Sequence, residues 1–257
     1  MHRWIKFFLK NHKPQSKAGK TLLWTLRVLS LMALLYLVSL LYPQIFFSYQ
    51  YTKHGLTVYS HQPIPTAVEQ RLDEVYEIIS KNEIYDPTLK ARIFVCNSLG
   101  WYRLFFPTFR GLYYSMTRQL LGQRHVFIAM ADLVRNKTGS PDTEKSWRSF
   151  TGVCAHELFH LLIANAVEKR GYVHPPKWIE EGYCEYASGN ISLPESIGLN
   201  MILNSPSFEY YKRNKTVKYL IEQKGLDFDS LLDYAKQHNE KEAWQETAQW
   251  LKKNVLR

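Results

Sequence analysis

Residues 22–41 form an unbroken apolar run whose sole charge is Arg27. At about 1.5 Å rise per residue, a helix of that length spans about 30 Å, the hydrocarbon thickness of a bilayer. A helix in the core of a small domain would carry a polar stripe, and 28–41 offers only Ser30 and Ser39. Arg27 is close enough to one end to reach the headgroups along its aliphatic stem. Trp24, Tyr36, Tyr42, Phe46 and Phe47 place aromatic rings near the two ends, and Pro43 stops the helix. No small-x-small cleavage signature follows, and the run is long for a signal peptide. The pattern predicts one uncleaved, single-pass transmembrane anchor over 21–47.

A short extended linker is predicted at 48–62, after which the hydrophobic spacing changes. In 64–82, Val68, Leu72, Val75, Ile78 and Ile79 recur at the helical period, and Pro65 suits the first turn. The β-rich runs 91–96 (ARIFVC) and 125–130 (HVFIAM) predict two strands, with an aromatic-rich stretch between them. Residues 136–142 have loop chemistry. The strongest helix outside the anchor is predicted over 146–169, ended by Gly171 and kept from continuing by Pro175 and Pro176. Further helices are predicted at 178–188, 210–224, 229–237 and 241–253. A small sheet first and helices after it predict an α+β domain over 63–257.

Composition and charge refine this picture. With 46% hydrophobic and 22% charged residues, the chain is able to build a packed core. The net charge of +10 would suggest nucleic acid if it covered the domain. It does not. Of the 33 basic residues, eight precede the first acidic residue, Glu69, and the other 25 are nearly balanced by 23 acidic ones. The basicity belongs to a tail at 1–20, where six Lys/Arg residues precede the apolar run. Positive charge stays on the cytoplasmic side, so the N-terminus is expected in the cytoplasm and the domain outside it, as at a bacterial inner membrane. No nucleic-acid partner is expected. Three cysteines, Cys96, Cys154 and Cys184, are too few for a disulfide scaffold, although a Cys154–Cys184 bridge is open.

The candidate chemistry lies in the strongest helix. His156-Glu157-Leu158-Phe159-His160 reads H-E-x-x-H. Histidines four apart on a helix project from one face and converge on one ion, and zinc takes nitrogen ligands at about 2.0–2.1 Å. Glu157 stands beside that face, placed to act as general base. Random ordering of this composition yields the motif in about 2% of chains, so the motif alone is moderately specific. Its neighbours add weight, because Leu158, Phe159, Leu161, Leu162 and Ile163 make the helix otherwise apolar. Polar groups in such a helix are costly unless paired or liganded. A catalytic zinc keeps three protein ligands and one open position. Candidates for the third follow in 176–186, where Glu181 and Glu185 share a helical face and Glu180 lies about 100° away.

H-E-x-x-H followed about twenty residues later by Trp178-Ile179-Glu180-Glu181-Gly182 and Tyr186 resembles the gluzincin branch of zinc metallopeptidases, including the small peptidase-MA-like domains. The resemblance covers mainly 150–188 and extends weakly into a helical tail. It implies a zincin-like fold with His156, His160 and Glu181 as Zn2+ ligands. It also implies Glu157 as the base for a zinc-activated water that hydrolyses peptide bonds. Glu185 resembles the outer acid that orients a ligating histidine, and Tyr210 and Tyr211 are candidates to stabilise the oxyanion. One departure is visible, since Cys184 stands where these families have Ala. The expected partner is a peptide or protein substrate. The alternatives are a non-catalytic zinc-binding interaction module at the membrane surface and an intramembrane protease built on the apolar stretch 151–167.

Overall fold

The structure, a computed structural model, describes residues 16–106, 115–120, 123–139, 148–171, 174–189 and 206–254. The chain divides into two compact units, Met1–Phe46 and Phe47–Arg257. In the first, helix α1 (Lys17–Leu41) begins where the Ser16 hydroxyl accepts from the Gly19 amide at 3.1 Å. A short 3-10 turn, Pro43–Phe46, follows. α1 is long and apolar enough to cross a membrane. Its large side chains, including Leu22, Met32 and Leu35, are exposed.

The second unit is α+β. Its sheet has five strands, β1 (Tyr49–Lys53), β2 (Leu56–Ser60), β3 (Ala91–Val95), β4 (Ser115–Leu120) and β5 (Gln123–Ile128), in the order β1-β2-β3-β5-β4. The three central strands run parallel, and each edge strand is antiparallel to its neighbour. Two two-residue strands, β6 (Ala131–Asp132) and β7 (Lys137–Thr138), form a separate ladder. The span 48–62 is therefore not a linker but the first hairpin of the sheet. Lys53 pairs with Leu56 across a two-residue loop, and His54 and Gly55 have φ of 52° and 76°. Positive φ at both positions is what a type I′ hairpin turn requires. A side chain at Gly55 would also meet Leu89 O at 2.9 Å.

The central strands are buried on both faces, as parallel strands are. Leu56, Val58, Ile93, Val95, Val126 and Ile128 join the main core. The alternate residues Tyr59, Phe94 and Phe127 stack on the other face with Phe47 and Phe105. Helix α2 (Val68–Ser80) buries Val68, Leu72, Val75 and Ile79, and α3 (Leu99–Phe105) follows β3.

Helix α4 (Phe150–Arg170) runs through the core. Ser149 caps its start, accepting from Gly152 N, and Gly171 ends it at φ 67°. It packs on α2, on β4 and β5, and on α5 (Lys177–Ser188). Its length and composition would also suit a membrane, but 89% of its apolar window is enclosed by the fold. Helices α6 (Pro206–Glu222), α7 (Phe228–Gln237) and α8 (Glu240–Asn254) complete the domain.

Two contacts fix these helices. Asp86, 7% exposed, accepts from the Thr88 amide and hydroxyl at 3.0 and 2.7 Å and from Lys169 Nζ at 2.8 Å. It ties the segment before β3 to the end of α4. Lys169 first, then Thr88, hold its carboxyl well below the usual carboxylate range. That stabilisation is complete above the ordinary value of about 4 and is lost as pH falls below it. Asp86→Ala is expected to cost about 1.5–3 kcal/mol and to flatten the acid limb of stability, read by denaturant unfolding at pH 7 and pH 3. An unchanged acid limb would show that Asp86 is not the group titrating.

The second contact is Gly182, where α5 crosses α6. A Cβ there would lie 2.7 Å from Arg213 O and 2.6 Å from Val217 Cγ2. Gly182→Ala is expected to force the helices apart at about 1–3 kcal/mol. Thermal melts check this, and an unmoved melting temperature would mean that α6 yields freely.

Candidate metal centre

The centre lies where α4 meets α5. Four residues on α4 make one helical turn plus about 40°, so the His156 and His160 rings share a face, with centroids 5.1 Å apart. Pro176 sets the start of α5, where Cys184 and Glu185 stand three and four residues after Glu181 and all three turn toward that face.

Each imidazole has a different environment at its two nitrogens. On the outer side, His156 Nδ1 faces Glu185 Oε1 at 3.4 Å, and His160 Nδ1 is hydrogen-bonded to Glu180 Oε1 at 2.7 Å. On the inner side, the two Nε2 atoms face the same oxygen. Glu181 Oε2 lies 3.5 Å from His156 Nε2 and 3.8 Å from His160 Nε2. Those separations exceed an ordinary N–H···O bond, and this buried oxygen has no hydrogen-bond partner. Ligand atoms of His156, His160 and Cys184 also lie within 4.8 Å of one another, a group that could hold a metal ion.

Glu185 is completely buried and pairs with Arg148 at 2.7 Å. Glu157 is 5% exposed. The Thr117 hydroxyl on β4 lies 2.8 Å from Glu157 Oε2 and 2.7 Å from its backbone carbonyl, and its single proton serves one of them at a time. Burial raises the Glu181 pKa, but His156, His160 and Lys177 outweigh it and hold the carboxyl below its ordinary value. Burial lowers the His160 pKa, but Cys184, Glu180 and Glu157 outweigh it and hold it well above the usual value. Burial pushes the Cys184 thiol up to about 12, against the pull of His160.

His156, Glu157, His160, Glu180 and Glu181 open into a cleft of about 580 Å³, lined on one side by Ser115, Met116 and Thr117 of the edge strand β4. His174, Lys177 and Tyr210 also line it.

No family model and no curated protein matches the chain.

The sequence-derived candidates fall as follows. His156, Glu157, His160, Glu181 and Glu185 come together in one place. Tyr210 lines the cleft, with its ring centroid 6.5 Å from that of His156. Tyr211 does not line it; it is 3% exposed and stacks on Phe208. All three cysteines are free, so no bridge joins Cys154 and Cys184. Two partners of the centre go unnamed in the sequence reading, Arg148 on Glu185 and Thr117 on Glu157, and Glu180, named there only among the candidates for third ligand, instead meets the outer nitrogen of His160. Glu180 could have been found by asking which acid meets the outer nitrogen of each histidine. Thr117 could not, because β4 gives no clear strand signal.

Proposed function

We propose that the protein is a membrane-anchored, zinc-dependent peptidase of zincin-like fold. One observation carries the reading, the convergence of both Nε2 atoms on the unpartnered Glu181 Oε2. Donors about 2.0–2.1 Å from a tetrahedral ion stand about 3.3 Å apart. Separations of 3.5 and 3.8 Å therefore suit His156, His160 and Glu181 around one ion after a small contraction. The outer carboxylates support the same assignment, because a ligating histidine commonly gives its other nitrogen to an acid, which fixes tautomer and ring orientation. Glu180, hydrogen-bonded to His160 Nδ1 at 2.7 Å, would hold that ring in this way, and Glu185 with Arg148 would hold His156 once its 3.4 Å approach to an Nδ1 without a hydrogen bond closes slightly.

An ion bound there supplies Lewis acidity toward a carbonyl oxygen and lowers the pKa of water. The protein's own groups supply the rest. Thr117 orients the Glu157 carboxylate, which takes a proton from the attacking water and delivers it to the departing amine. Tyr210, which lines the cleft, would donate to the developing oxyanion. An extended peptide would bind along β4 by adding a strand at that edge of the sheet, which would lay its backbone across the centre. The charge asymmetry around α1 supports a cytoplasmic N-terminus and an extracytoplasmic domain.

A non-catalytic metal-binding module is favoured by a different observation, that the buried Cys184 stands with His156 and His160 in a group able to hold a metal ion, since cysteine is a common ligand of structural zinc sites. One experiment separates the readings. Full-length protein in detergent is assayed for metal content and for cleavage of a peptide library by mass spectrometry, before and after chelation. Near one zinc per chain, with cleavage lost on chelation and restored by zinc, is expected. Zinc without cleavage of any peptide would favour the module, and no zinc under metal-replete conditions would overturn both.

A further inference from the structure

Cys184 is the one donor at the centre that the peptidase reading leaves without a role. A buried cysteine ordinarily behaves as a small apolar side chain. Here three observations set it apart. Its sulfur lies within 4.8 Å of ligand atoms of both histidines. It is completely buried, yet it faces the two imidazoles rather than an entirely apolar wall. It also stands three residues after Glu181, so helical geometry sends both side chains toward α4, where Glu181 Oε2 is buried with no hydrogen-bond partner.

We propose that Cys184 is a metal donor, so that the centre binds its ion through the sulfur together with His156 and His160, with Glu181 completing the set. This rests on the reading above that the cluster holds a metal. Binding breaks the S–H bond, forms a metal–sulfur bond and releases the proton to the buffer, because the ligand is the thiolate. A nitrogen-and-sulfur donor set selects borderline and thiophilic ions such as zinc and cobalt over magnesium, calcium and manganese, which take oxygen donors. It also places one soft donor beside one hard one, so that the ion can shift its weight between Cys184 and Glu181 as a fourth position is needed.

Cobalt(II) tests this directly, because a thiolate bound to cobalt gives an intense charge-transfer absorption in the near ultraviolet that oxygen and nitrogen ligands do not. Full-length protein, metal-depleted and reloaded with one equivalent of cobalt, is expected to show that band. Cys184→Ser and Cys184→Ala are expected to lose it, with cobalt affinity falling by at least the ~10–100-fold that loss of an outer partner causes. Cys154→Ala, which removes a thiol on the neighbouring helix, is expected to keep it. Cobalt bound at one equivalent without the band, or a band that survives in Cys184→Ser, overturns the proposal and leaves the metal centre standing. Failure of the wild-type protein to bind cobalt or zinc overturns the metal centre itself, and the proposal with it.

Discussion

Glu157→Gln is expected to lower peptide turnover by about 10²–10⁴-fold, the usual worth of a general acid–base group, while metal content stays near one per chain. The amide keeps the size of the carboxylate, and its oxygen can still accept from the Thr117 hydroxyl that now meets Oε2 at 2.8 Å. It cannot take a proton at neutral pH. The proposed donors, His156, His160, Cys184 and Glu181, are untouched, so binding and chemistry separate in this variant. Peptide cleavage and metal analysis on the same preparation make the check. Full activity in Glu157→Gln would remove this residue from the mechanism, whereas loss of metal along with activity would show that Glu157 holds the centre together.

His160→Ala is expected to take metal occupancy from near one to near zero at concentrations that saturate the wild type. The substitution removes an inner donor and also leaves Glu180 without the hydrogen bond it now makes at 2.7 Å. A consequence for stability follows. Zinc at about a hundred times its dissociation constant stabilises a native state that binds it by about 2.7 kcal/mol. In a domain of this size that raises the melting temperature by roughly 5–10 °C. The wild type is expected to show this shift when zinc is added to metal-free protein, and His160→Ala to show little of it. An equal shift in both would mean that zinc binds elsewhere.

How far the sequence led can be judged element by element. α2, β3, β5, α4 and α5 were legible because their patterns are strong. Val68, Leu72, Val75 and Ile79 keep a helical period, and the apolar α4 is bounded by Ser149 and Gly171. The β1–β2 hairpin was missed although its alternation was present, because its turn is His54-Gly55 rather than the common Asn-Gly. The edge strand β4 was missed for a different reason. Its sequence, SMTRQL, mixes polar and apolar residues without a run, and it is a strand because β5 supplies its partner. At the centre, spacing alone could bring His156 and His160 to one face. It could not say which nitrogen meets which acid, since that depends on how α5 crosses α4. The pairing of Glu180 with His160, and the position of Cys184, are products of that crossing.

The strand order has a consequence for how the protein is made. β2, β3 and β5 lie parallel, so each must wait for a long crossover to close before its pairing is rewarded, which makes such sheets slow to form. A chain emerging from the ribosome releases the β1–β2 hairpin first and the segment carrying α5 much later. α4 and α5 follow one another across a short connection and emerge together, so the two histidines can meet Glu181, Glu180 and Glu185 by a local closure that does not wait for the sheet. An ion captured there would clasp this helix pair whatever the state of the strands.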